Sequence, residues 1–347
     1  FNLNANQYIW TYGCNVDFER CTFNCVDGKG ILIYNEGTDV TVNINNCEFS
    51  SSKHAQTGNG QNIAAIEISN AVNNPKFTVS INNCVSKGGF AYDDFICRFK
   101  DEVTAENLAN LNVTVDGLKY VSEGRLEDAE GNTIATNVAG LKDALKEGED
   151  VILADDMAIK SSESESNSYG KTGINMTNGG TIDGGGNDIS INAWSTWDCA
   201  INTTGGTIKN INVTGGMRGI FVNHNSDNCS KVYLENVVID GTVYTISCDQ
   251  GTNNGLEAIN STFNGWTSYA ATIGDVKFTN CNFGEGQGYA YCRPYAPTEF
   301  VGCEFEAGFT LEPVAAVTLE NCTVGGVAVT AENLSTFVTN TAKVTIK

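Results

Sequence analysis

Residues 276–283 read VKFTNCNF: apolar side chains alternate at Val276 and Phe278, Asn280 precedes Cys281, and an aromatic follows at Phe283. The same phrase returns as VDFERCTF around Cys21, VNINNCEF around Cys47 and VSINNCVS around Cys84. It returns again as TEFVGCEF around Cys303 and VTLENCTV around Cys322. Degenerate copies put another residue in the cysteine slot: IKNINV with Ile211, YLENVVI with Val237 and AINSTF with Ser261. From Ile211 through Val237, Ser261, Cys281 and Cys303 to Cys322 the slots are 26, 24, 20, 22 and 19 residues apart. A period of this size marks a solenoid, in which each repeat covers the apolar face of the next.

Inside each repeat the apolar residues alternate with period two, as in Val42-Asn43-Ile44-Asn45, so the rungs are strands. The Gly, Asn, Asp and Ser clusters between them are turns. No repeat offers the helical segment of a leucine-rich repeat, and a propeller blade needs about forty residues. The expected fold is therefore all-β, a right-handed parallel β-helix solenoid. Stacked in register, the slots form an inward ladder of small, polarizable groups, expected to be free thiols because parallel Cβ vectors give a poor disulfide dihedral. The asparagine before the slot, at Asn46, Asn83, Asn280 and Asn321, is expected at a bend in the left-handed region or bonded to the next rung.

A longer repetition sets the domain plan. Residues 103–108 and 329–334 are both VTAENL, and YIWTYGCNVDFERCTF from Tyr8 resembles YAATIGDVKFTNCNF from Tyr269. Residues 1–119 are expected to be the C-terminal rungs of a first block, an incomplete copy that begins in mid-solenoid. Residues 120–136 are expected as a linker, and 137–347 as a second, complete block. That block opens with NVAGLKDALKEG over 137–148, which has apolar residues at helical spacing and a terminal Gly. One short helix near 137–147 is expected to cap the first strand.

The chain has 347 residues with 41 Asp plus Glu against 20 Lys plus Arg, a net charge of −21. Such a balance repels nucleic acid and anionic membranes. No apolar run approaches a transmembrane length. With no CxxC pair and two histidines, His54 and His224, the thirteen cysteines do not read as a zinc site.

The helix followed by VILADD, then GGTIDGGGNDISI, GGTIKNINVTGG and the NCxF rungs, resembles right-handed β-helix proteins of the pectin-lyase-like superfamily. It is most similar to surface or secreted β-helix proteins of gut Bacteroidetes. The resemblance implies an exported protein, at the cell surface or extracellular, and a superfold that hosts lyases, hydrolases, adhesins and spacers alike. Lyases of that kind hold Ca²⁺ with several carboxylates and use Arg or Lys as base; the hydrolases cluster aspartates with a Gly-His-Gly and an Arg-x-Lys. Neither set is complete here. Asp155-Asp156 and Asp93-Asp94 stand isolated, the latter reading as a solvated turn.

The most suggestive stretch is 216–227, which offers Arg218, His224 and Asp227 near one turn as catalytic candidates. A rung later lies Asp249, and beyond it Trp266, Tyr269, Tyr291 and Arg293. Together these read either as a sugar-binding face or as a polar turn beside ordinary stacked aromatics. Trp194 and Trp197 add a pair of indoles, as a ligand platform or as packing for a neighbouring loop. Ca²⁺ enters only as a bridge that would let so acidic a chain hold a polyuronate. The expected function is a non-catalytic surface or secreted module binding polysaccharide or acting as an adhesin; the alternative is a polysaccharide lyase or glycoside hydrolase.

Overall fold

In the computed structural model the described residues are 1–4, 7–34, 39–52, 64–69, 77–90, 96–99, 111–166, 170–192, 197–222, 229–248, 255–270 and 273–347. They are predominantly β, and the chain divides into two compact units, Phe1–Gly140 and Leu141–Lys347. The copy of VTAENL at 103–108 lies outside the described residues.

In the first unit parallel strands stack in three columns. Val16–Glu19, Val40–Asn45, Phe77–Asn82 and Asn112–Val115 form the first. Asn2–Leu3, Thr22–Cys25, Glu48–Ser51 and Val85–Ser86 form the second. Ile9–Tyr12, Ile31–Tyr34, Ile66–Ser69 and Cys97–Phe99 form the third. Parallel register puts like on like: Phe23 lies under Phe49 with ring centroids 4.6 Å apart.

The stretch 120–136, expected as a linker, instead belongs to an antiparallel meander of Leu118–Ser122, Arg125–Glu127 and Thr133–Ala135. It is joined to Asn112–Val115 through Asp116-Gly117, whose φ angles of 50° and 81° suit the tight hairpin turn that Asp-Gly favours.

The helix spans Val138–Lys146, inside the expected bounds, and buries Val138, Leu141, Ala144 and Leu145. The Asn137 side chain accepts from the Gly140 N–H at 2.8 Å, an N-cap. At the other end Gly148 has φ 74°, its N–H donates to Leu145 O, and Glu149 N–H reaches back to Ala144 O. That pair of bonds is the Schellman stop.

The second unit repeats the three-column plan. Leu256–Ile259, Val276–Thr279, Thr298–Val301 and Val317–Glu320 follow one another in the first column. Thr262–Asn264, Asn282–Gly284, Glu304–Phe305 and Thr323–Val324 do so in the second. The third runs Lys171–Met176, Cys199–Thr203, Arg218–Val222, Tyr244–Cys248, Trp266–Tyr269, Tyr291–Pro294 and Thr310–Leu311. Phe278 stacks on Phe300 at 5.2 Å and Phe283 on Phe305 at 5.2 Å, and all four are buried.

Between the first and second columns the chain turns one residue before each cysteine slot. Arg20, Asn46, Asn83, Asn210, Asn236, Asn260, Asn280 and Asn321 there have φ between 50° and 56°, and Gly302 has 61°. This is the left-handed bend expected of the asparagines. Their side chains bond between rungs as well: Asn83 Nδ2 donates to Asn46 Oδ1 at 2.7 Å, and Asn236 Nδ2 to Asn210 Oδ1 at 3.0 Å.

The slot cysteines Cys21, Cys47, Cys84, Cys281, Cys303 and Cys322 are free thiols, four of them buried and Cys21 and Cys84 partly so. Each buried thiol sits near two carbonyls, one two residues back and one on the preceding rung. Cys322 lies 3.5 Å from Glu320 O and 3.3 Å from Phe300 O. Ser261 does the same work as a hydroxyl, donating to Ile259 O at 2.8 Å and accepting from Val237 N. Burial pushes the Cys25 and Cys47 thiols up to about 11, so both are protonated at physiological pH. Hydrogen bonds to Cys281 and Cys322, together with burial, drive Cys303 up too.

Candidate functional site

Side chains of a strand alternate between faces, so every second residue of the third column of the second unit points away from the core. Tyr244, Trp266, Tyr291 and Thr310 are in direct register on four successive strands and form one outward row. Ser247, Ser268 and Arg293 form the next. The inward positions are buried: Thr267, Tyr269 and Cys292.

The outward row is a track of rings. Tyr244 and Trp266 stack with centroids 4.9 Å apart, Tyr291 meets Trp266 edge-on at 5.0 Å, and Tyr289 lies tilted against it at 5.6 Å. Tyr289 is an exposed ring at the edge. Arg218, on the strand before Tyr244, is buried between two rings, 5.0 Å from Trp197 and 4.5 Å from Phe221. Trp197 itself is 45% exposed. Arg293 reaches Glu312 at 3.2 Å and lies over Tyr295 at 5.0 Å.

Trp266 Nε1 and Arg293 Nε on this face are buried donors with no acceptor among the described residues. An unpaired buried donor costs about 1–3 kcal/mol, and such exceptions call for an explanation.

The sequence candidates thus divide. Trp197, Arg218, Trp266, Tyr291 and Arg293 lie on, or next to, this one face. Tyr269, expected as a ligand contact, is a core residue: it is fully buried, its hydroxyl bonds Thr298 Oγ1 at 2.8 Å, and burial drives its phenol well above the ordinary value. His224, Asp227, Asp249, Trp194 and the pair Asp93-Asp94 lie outside the described residues. Asp155 and Asp156 have local work, since Asp155 Oδ1 accepts from Asp156 N and Asp156 Oδ1 from Asp188 N, both at 2.8 Å.

Tyr244, Tyr289 and Glu312 were not singled out by the sequence. Tyr244 follows its slot by seven residues, Trp266 by five and Tyr291 by ten, so turns of different length hide the register. Among the described residues no group of three or more His, Cys, Asp or Glu is placed to hold a metal ion. No helix of the described residues is long and apolar enough to cross a membrane.

The chain matches no family model, no curated protein and no solved structure.

Proposed function

We propose that the protein is a non-catalytic, exported module, at a cell surface or secreted, that binds a polysaccharide along the outer face of the third column of its second unit. In this proposal the three columns are the faces of a right-handed parallel β-helix of the pectin-lyase-like kind. The observation that carries the reading is the row Tyr244, Trp266 and Tyr291, ring beside ring on successive strands, with Arg293 in the next outward row.

Strands in a sheet repeat every ~4.8 Å, close to the length of one sugar ring, so a row of rings offers a glycan one apolar step per residue. Aromatic rings supply apolar area with little conformational entropy to lose, and Arg and Tyr supply donors for hydroxyl oxygens. The Arg293–Glu312 pair leaves no uncompensated positive charge at that end, and the chain carries −21 overall. A neutral glycan is favoured over a polyuronate.

A carbohydrate array followed by titration calorimetry tests this. Trp266→Ala is expected to weaken binding of the retained glycan about tenfold, the ~1.4 kcal/mol at the upper end of an aromatic contact. Unchanged affinity would remove the face from consideration. Turnover of the glycan would place the protein among the lyases or hydrolases instead.

A further inference from the structure

We infer that the first unit carries a second, independent carbohydrate-binding platform, built from Trp10, Tyr12 and Tyr34. It rests on the proposed function only for the chemical class of ligand, since its geometry is its own. Trp10 is 54% and Tyr12 49% exposed, on the strand Ile9–Tyr12 of the third column. Single exposed rings are ordinary, but a contiguous cluster of them marks an interaction surface.

These rings are held, not loose. Tyr12 is in register with Tyr34 and stacks on it at 5.5 Å with planes 11° apart. Trp10 stands near-perpendicular to both, 5.3 Å from Tyr12 and 5.9 Å from Tyr34. A platform fixed by its own contacts loses little freedom when a ligand settles on it.

The charges of that face are committed. The row of Trp10 continues through Leu32 and Glu67 to Arg98. Glu67 is fully buried and paired with Lys29, and Arg98 pairs with Glu123 at 2.9 Å. Lys29 also lies 5.3 Å from the Tyr8 ring. Among the described residues the platform therefore offers exposed ring surface beside charges that are already paired, which suits a neutral ligand with apolar C–H faces. A β-linked glucan is such a ligand. The same column of the second unit carries the ring track, so both units place aromatics on one kind of strand.

Calorimetry on the full chain with cellohexaose, laminarihexaose and mannohexaose tests the inference, using Trp266→Ala, Trp10→Ala, the pair together, and Trp10→Phe. Binding that survives Trp266→Ala, falls about tenfold when Trp10→Ala is added and is restored in part by Trp10→Phe is the expected result. Complete loss in Trp266→Ala alone, or residual binding indifferent to Trp10, overturns the inference and leaves the second-unit site standing. Dependence on Trp10 without dependence on Trp266 supports the inference and overturns the other site; no heat with any probe overturns both. Sedimentation of the same samples covers the remaining occupant: a dimer dispersed by Trp10→Ala, with sugar binding untouched, would make the platform a contact between copies of this chain.

Discussion

Asn83 shows how a single residue holds a corner of the stack. Its φ of 50° lies in the left-handed region, its Nδ2 donates to Asn46 Oδ1, and its N–H donates to Asp116 Oδ1 at 2.6 Å. A Cβ-bearing residue with no such bonds has to bear the left-handed conformation alone, at ~1–2 kcal/mol. Asn83→Ala is therefore expected to destabilise the protein by about 2 kcal/mol, adding a lost hydrogen bond to that strain. Asn83→Gly keeps the conformation and is expected to cost less than half as much, as the Gly302 corner already implies. Urea unfolding of the two variants checks this, and equal losses would mean that the bend is not what the asparagine secures. The corner was legible because asparagine tolerates this conformation better than most residues and recurs before the slot. The slot was legible for a different reason: Cys, Ser, Val and Ile are small enough to share one buried position, where a thiol or hydroxyl can donate to a nearby carbonyl. Tyr269 departs from the expectation because one residue of register decides whether a ring faces solvent or core.

At the scale of elements, the periodicities of two and of about twenty-two residues gave the strands and their stacking, and the terminal Gly148 bounded the helix. The Gly and Glu content of 120–136 suggests a linker, although Asp116-Gly117 is itself a hairpin signal and Glu123-Gly124 and Glu130-Gly131 mark the next turns. Short strands of three to five residues with partly buried faces carry too little alternation to stand out. The columns owe much of their cohesion to identical residues in register. Phe300 packs between the rings of Phe278 at 5.2 Å, Phe283 at 5.5 Å and Phe305 at 5.3 Å, and is fully buried. Its removal opens a cavity that two neighbouring rungs share, so Phe300→Ala is expected to cost about 3–5 kcal/mol. A calorimetric midpoint within a degree or two of the parent would show that the rungs do not depend on this stack.

For the whole molecule, the repeat gave the stacked parallel strands but did not reach the binding chemistry. Several candidate residues fall together on one column because aromatic and cationic residues are sparse enough to stand out. Their assembly into a row depended on turn lengths that differ from rung to rung, and that is visible only once the strands are paired. The proposed binding surface is the outer face of the third column in the second unit, with Trp266 at its centre. A crystal structure of the full chain soaked with an oligosaccharide of the retained glycan measures this directly. The expected result is a sugar ring against Trp266, its neighbour reaching Tyr244 or Tyr291, and a hydroxyl within hydrogen-bond distance of the Arg293 guanidinium. Sugar bound only on other columns, or a cleaved oligosaccharide at any site, would contradict it.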